Sequence, residues 1–244
     1  MTNYKVLQRS QSWYGEDIGI MILDAAYPCV PGNVGNATSF QFPVRYEEIE
    51  GASIDRLLNQ RDPELIRPFI QAAKRLEARG VKAIAGACGF MALFQKEVSA
   101  AVNIPVGLSS LIQIPLIRAV CGGPVGIITA NCEQLTATHF SACGIDLATP
   151  LFVTGMENCP EFSSAILQEK GSLDDDLIRT EAVKTAVKLQ SENPEIRAIL
   201  LECSDLPPYA ADIQTATGLP VFDFNTLIRF LRDGVRQRAY QGNM

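Results

Sequence analysis

Short apolar runs alternate with longer amphipathic ones along this chain, the arrangement in which the strands of a parallel sheet are separated by covering helices. The runs at 18–23, 82–87, 104–106, 125–129, 150–153, 196–201 and 219–224 predict strands. The segments 63–79, 91–102, 109–120, 133–142, 174–190, 207–216 and 226–240 predict helices. In the first of these Leu65, Ile66, Phe69, Ile70, Ala73 and Leu76 share one face at helical spacing. Pro115 is expected to bend or break the helix that contains it. A Gly/Pro/Asn-rich stretch runs from Asp24 to Ser53, with one further strand candidate at 43–49. Loops of that length inside compact domains usually carry function or motion.

The pattern repeats within the chain. Val81-Lys-Ala-Ile-Ala-Gly-Ala-Cys88 parallels Ile196-Arg-Ala-Ile-Leu-Leu-Glu-Cys203, an offset of 203 − 88 = 115 that also pairs Pro105 with Pro220. Gly19-Ile-Met-Ile-Leu-Asp24 parallels Gly126-Ile-Ile-Thr-Ala-Asn131 at 131 − 24 = 107. Each half reads strand, long connection, strand ending in cysteine, helix, strand carrying proline. The expected fold class is α/β: two similar lobes, each a parallel-sheet α/β sandwich, related by pseudo-twofold symmetry, with the active site in the cleft between them. The first lobe is expected over 1–113 and the second over 114–225, with the C-terminal helix, 226–244, packing back on the first.

Composition narrows the class. The chain has 244 residues, 47% hydrophobic and 20% charged, enough for a substantial core and unlike disordered or collagen-like sequences. The richest apolar stretch, 108–120, is too short to span a bilayer and is interrupted by Ser109, Ser110, Gln113, Pro115 and Arg118. Residues 1–17 lack the apolar segment and cleavage site of a secretion signal, so the expected location is cytoplasmic. Net charge is −6, and Lys and Arg alternate with acids rather than forming a basic stripe. Neither nucleic acid nor membrane is an expected partner. Seven cysteines without a CxxC pair, and a single histidine, His139, give neither a disulfide framework nor a zinc site. Gly32-Asn-Val-Gly-Asn does not complete a dinucleotide fingerprint. His139 reads as packing or surface, and the acidic run 174–176 as the first turn of a helix.

Cys88 and Cys203 stand apart from the other cysteines, which read as small buried hydrophobes, although Cys132 sits beside Asn131 near the cleft. Both end a strand where a helix is expected to begin, which is where α/β sheets bind ligands. A helix N-terminus is expected to lower a thiol pKa and to offer N–H groups to a carboxylate. Two such thiols facing each other across a cleft can take a proton from one face of a carbon and return it to the other. The pattern resembles the cofactor-independent aspartate/glutamate racemase superfamily, which also holds hydantoin racemases, arylmalonate decarboxylases and maleate isomerases. Glu202-Cys203-Ser204-Asp205 is similar to that family's Cys-Thr-Glu, whereas Ala87-Cys88-Gly89-Phe90 keeps only the cysteine of its Cys-Asn-Thr. Asp24 matches an Asp that follows the first strand in glutamate racemases.

The resemblance implies a racemase or epimerase, an isomerase without metal or cofactor, that inverts the carbon α to the carboxylate of an amino acid or related small acid. Cys88 and Cys203 would be its two catalytic bases, and the family implies a homodimer. Asp24, Gly89, Phe90, Asn131, Ser204 and Asp205 are the candidate substrate contacts, joined by Asn33, Asn36 and Thr38 from the long loop. The loss of Asn-Thr after Cys88 points away from free aspartate or glutamate. The alternatives are a one-cysteine decarboxylase or cis–trans isomerase of the same superfamily, and a non-catalytic two-lobed binding protein.

Overall fold

A computed structural model describes residues 3, 5, 6, 12–146 and 148–242. Most of the first eleven residues, which bear on the secretion signal, and the last two of the 226–244 segment lie outside those described. Two parallel four-stranded sheets form the frame. In the first, β1 (Ile18–Asp24), β2 (Val44–Ser53), β3 (Ala83–Gly86) and β4 (Val106–Gly107) lie in the order β2-β1-β3-β4. In the second, β5 (Val125–Thr129), β6 (Leu151–Gly155), β7 (Ala198–Leu201) and β8 (Val221–Phe222) lie in the order β6-β5-β7-β8. The strand registers reproduce both sequence offsets. Ile18 pairs with Ala83 and Val125 with Ala198, giving 125 − 18 = 107 and 198 − 83 = 115. The second half thus carries 115 − 107 = 8 extra residues between its first and third strands. There its helix α6 (Asp175–Glu192) runs 18 residues, against 13 for α1 (Ile66–Ala78) in the first half.

The helices form where an apolar face has a sheet to cover. In α1, Phe69, Ala72, Ala73 and Leu76 are buried, and α2 (Gln95–Ala101) packs beside it. Pro115 does not break α3 (Ile114–Cys121); it sits in the first turn, where its missing N–H leaves no bond unmade. The helix expected over 133–142 keeps only its second part, α4 (Ala137–Ala142). Its first part is diverted by side-chain caps: Asn131 Oδ1 accepts from the Glu133 N–H at 3.0 Å, and Thr136 forms a capping box with His139. Next come α5 (Pro160–Phe162), α6, α7 (Ala210–Thr217) and α8 (Phe224–Val235). α8 starts at an Asp223–Thr226 capping box and stops just beyond Gly234, short of Tyr240, because the basic tail that follows has no apolar face to bury. It lays Phe224 and Ile228 against Ile18, Ile20, Ala83 and Ala85 of the first sheet. Among the described residues no helix is long and apolar enough to cross a membrane.

Two π-helical turns, like the short α5, have no counterpart in the sequence reading. A π-helical turn follows β2 at Asp55–Asn59, and another, at Ser163–Leu167, continues α5. Each is followed by a non-glycine residue in the left-handed region, Arg61 at φ 49° and Glu169 at φ 51°. Arg61 Nη2 donates to Gln134 Oε1 of the second half at 2.9 Å, while Glu169 Oε1 accepts from the Ala26 N–H of the first half at 2.6 Å. Both ends of this crossed pair obey one offset, 169 − 61 = 108 and 134 − 26 = 108. Each half therefore clasps a loop of the other.

Candidate active site

A small cavity, with about 30 Å³ of free space, lies at the carboxyl ends of β1, β3, β5 and β7, between the two sheets. Its chemistry comes from Tyr27, Cys88, Glu202, Cys203, Ser204 and Asp205; Ile54 and Leu58 from one π-turn region and Ile166 and Leu167 from the other add apolar walls. Cys88 ends its strand in extended conformation and caps a 3-10 turn, Gly89–Phe94. The N–H groups of Phe90 and Met91 reach its sulfur. Cys203 is followed by a tight turn and the 3-10 turn Pro207–Tyr209 rather than directly by an α-helix. The Asp205 N–H bonds its sulfur, and its Sγ donates to Asp205 Oδ2 at 3.3 Å. Asp205 is held in turn by Asn33 Nδ2, which donates to Oδ1 at 2.6 Å, and by the Tyr27 hydroxyl at 3.4 Å. The halves are stitched together here: Ser204 Oγ donates to the Ala87 carbonyl at 2.6 Å, and the Ser204 carbonyl accepts from the Val34 N–H at 3.3 Å.

Glu202 is wholly buried between the two cysteines' strands. Thr129 Oγ1 donates to its Oε2 at 2.7 Å, and its Oε1 has no partner. Its carboxyl occupies the space that a side chain at Gly89 would need: a Cβ there would stand 1.9 Å from Oε1. Only glycine fits beside it.

Burial decides the electrostatics. Both thiols are pushed well above the ordinary cysteine range, first by desolvation, then by Glu202 for Cys88 and by Asp205 for Cys203. The backbone N–H groups lower both, as the sequence led us to expect, but desolvation outweighs them, and the expectation of depressed thiol pKa values is corrected. Desolvation also raises Glu202 to about 7, against the hydrogen bond from Thr129. Asp205 rises for the same reason despite its three donors. No Lys, Arg or His is among the lining residues. The acids are also one-sided. At the 115-residue offset Glu202 corresponds to Ala87, Ser204 to Gly89 and Asp205 to Phe90, so the second half supplies the carboxyls and the first supplies apolar surface.

Of the residues named from sequence, Cys88, Gly89, Phe90, Cys203, Ser204 and Asp205 meet in this cavity. Asp24 is exposed at the end of its strand, opposite Ser53, and does not line it. Asn36 spends its side chain on the Cys29 carbonyl and the Thr38 N–H, each at 2.9 Å, and Asn131 spends its own on Glu133. Asn33 acts one step behind Asp205. His139 is buried, bonded through Nδ1 to the Thr136 N–H, and meets the Phe90 ring edge-on at 5.2 Å. Burial lowers its pKa to about 4, so it backs the cavity wall as a neutral ring. The sequence reading missed Tyr27, Glu202, Thr129 and the π-turn residues. Glu202 had left a signal: it is the one charged residue in the apolar run 198–203.

No protein-family profile matches the chain. Among curated proteins, dimethylsulfoniopropionate lyase of Durusdinium sp. clade D is 35% identical over 214 residues, 84% of this chain and 70% of that protein. Dimethylsulfoniopropionate lyases 6 and 3 of Emiliania huxleyi (strain CCMP1516) are 32% and 33% identical over 233 residues, 90% of this chain. The chain spans 61% of the length of each of those two. Among solved structures, unliganded arylmalonate decarboxylase aligns over 91% of this chain and 94% of its own with a TM-score of 0.59 and 17% identity. A putative Asp/Glu racemase from Yersinia pestis aligns over 90% and 99% with a TM-score of 0.58 and 14% identity. The fold is thus that of the aspartate/glutamate racemase superfamily. The activity expected from that resemblance is corrected: the named relatives are lyases, so assignment as an inverting racemase, and with it the isomerase class, is withdrawn.

Proposed function

The chain belongs to the dimethylsulfoniopropionate lyase family, and from that premise we propose that it cleaves dimethylsulfoniopropionate by β-elimination. The observation that carries this reading is the charge of the cavity. It holds two carboxyls, two thiols and a phenol, and among the described residues no cationic side chain lines it. A cationic sulfonium suits such a site, and the rings of Tyr27 and Phe90 suit its methyl groups. The one-sided acids set the direction of binding: the sulfonium faces Glu202 and Asp205, and the carboxylate faces the first half, at the turn that Cys88 caps.

Cys203 is the base in this scheme because its proton has somewhere to go. Its thiol already donates to Asp205 Oδ2. A cation beside these groups favours their charged forms, so the arriving sulfonium supports Asp205 as the carboxylate that accepts and opposes the desolvation that holds the proton on Cys203. The thiol proton passes to Asp205, and the thiolate removes a proton from the α carbon. The electron pair forms the Cα–Cβ double bond as the Cβ–S bond breaks, and the sulfur leaves with its pair. The products are dimethyl sulfide, acrylate and one proton, which balances the net-neutral substrate. Cys88, on the opposite wall, stays a thiol and donates to the carboxylate as charge builds on it.

The test is acrylate formation followed by NMR, with dimethyl sulfide measured in the headspace. Equal amounts of both are expected from wild type. Cys203→Ser is expected to lose roughly 10²–10⁴-fold in turnover, the usual worth of a general base. Cys88→Ser should lose about tenfold, the worth of one hydrogen bond to developing charge. Absence of acrylate would overturn the activity; equal losses in the two variants would overturn the division of roles.

A further inference from the structure

We propose that Glu202 is the specificity-determining residue that distinguishes a cationic from an uncharged sulfur group, by taking the sulfonium against its Oε1 and releasing a proton. The inference rests on the lyase reading and adds the determinant of substrate class to it. A buried polar atom without a partner is costly, and Glu202 Oε1 is such an atom, in the wall of the cavity. A ligand that completes its bonding removes that cost. Gly89, having no side chain, is what leaves room for this oxygen in the wall.

Asp205 is not equivalent. Both of its oxygens are engaged, Oδ1 by Asn33 and Oδ2 by Cys203 and Tyr27. Glu202 has one oxygen free, and every titratable neighbour it influences is acidic: Cys88 from the first half, Cys203 on its own segment and Cys143 at the end of α4. Asp205 lies on the same segment, and Thr129, from β5, is its one hydrogen-bond donor among the described residues. Among the described residues nothing neutralises a carboxylate here, and burial holds the proton on Glu202 up to about 7. A sulfonium replaces that proton: carboxylic acid plus cation gives carboxylate–cation pair plus one proton to solvent. A thioether of the same shape has no charge to offer and leaves the acid protonated.

The probe is dimethylsulfonioacetate, which has no β carbon and cannot eliminate; 3-(methylthio)propionate is the uncharged-sulfur control. Calorimetric titration at about pH 6, in two buffers of different ionisation enthalpy, counts protons released on binding. Wild type is expected to release most of one proton with the sulfonium, and its affinity should rise about tenfold per pH unit up to about 7. Glu202→Gln should release none and bind the sulfonium at least tenfold more weakly, while binding the methylthio acid as wild type does. Thr129→Val, which removes the donor to Oε2 and leaves the carboxyl in place, should move the midpoint of release to higher pH. A Gln variant with the wild-type proton count and the wild-type preference for the sulfonium overturns the proposal, as does a Val variant with an unmoved midpoint. The lyase reading fails separately, as absence of acrylate from the wild-type protein while proton release persists.

Discussion

The proton on Glu202 links the site to the stability of the fold. The folded protein holds it up to about 7, above the ordinary glutamate value of 4.5. The stability it contributes is therefore whole below about pH 4.5 and is lost as pH rises through about 7. By that shift the loss is on the order of 3 kcal/mol. Glu202→Gln cannot incur it. The variant is expected to melt close to wild type near pH 4 and distinctly higher at about pH 8, by thermal unfolding at both; a constant gap across that range would sink the assignment. Which cysteines matter was legible in the sequence, because a repeat puts Cys88 and Cys203 in equivalent places. Their protonation state was not. It depends on desolvation and on carboxyls brought close by folding, neither of which a motif records. Asp24 shows the converse failure: a strand-end position alone does not say whether a side chain turns toward the cleft.

At the scale of elements, the two π-helical turn regions add apolar walls to the cavity, Ile54 and Leu58 from one and Ile166 and Leu167 from the other. Each is closed by a left-handed residue that is not glycine, a conformation costing roughly 1–2 kcal/mol for an L side chain. At Glu169 that cost is accepted where the side chain clasps the Ala26 N–H of the other half. Glu169→Gly is therefore expected to leave unfolding free energy level or raise it by up to about 1 kcal/mol. It should also lower kcat/KM several-fold, because the turn is no longer tied to the other half. Chemical denaturation and steady-state kinetics on the one variant check both; lower stability with unchanged kinetics would count against the clasp. The strands and long helices could be read from apolar periodicity. These turns could not, since a single π turn is too short to show a period and neither clasping residue belongs to a motif.

Seen whole, the molecule is two copies of one arrangement joined through a shared interior. The main core cluster runs without a break from Met21, Phe69 and Ile84 in the first half to Val125, Ile178 and Leu200 in the second. Ser110 Oγ donates to the Leu201 carbonyl across the junction at 3.0 Å, and Gln113 Nε2 donates to the Asp223 carbonyl at 2.9 Å. The halves are expected to unfold together, in one calorimetric transition that coincides with loss of activity; two resolved transitions would show that they are independent. The two offsets, 107 and 115, make the duplication readable in the amino-acid sequence itself. What duplication could not reveal is where the copies diverge, and the divergence at 87/202 and 90/205 is what polarises the cavity. The burial of that cavity also bears on how long the protein lasts. Acrylate is an unsaturated acid that alkylates thiolates, and the proposed reaction forms it between two sulfurs. When the sulfonium becomes neutral sulfide, the cation that favoured thiolate has gone. Cys203 is a thiol again once it has taken the α proton and Cys88 has stayed one, and burial with the flanking carboxyls keeps both sulfurs protonated beside the new electrophile. The same desolvation that makes them reluctant bases at rest spares them from being consumed by their own product.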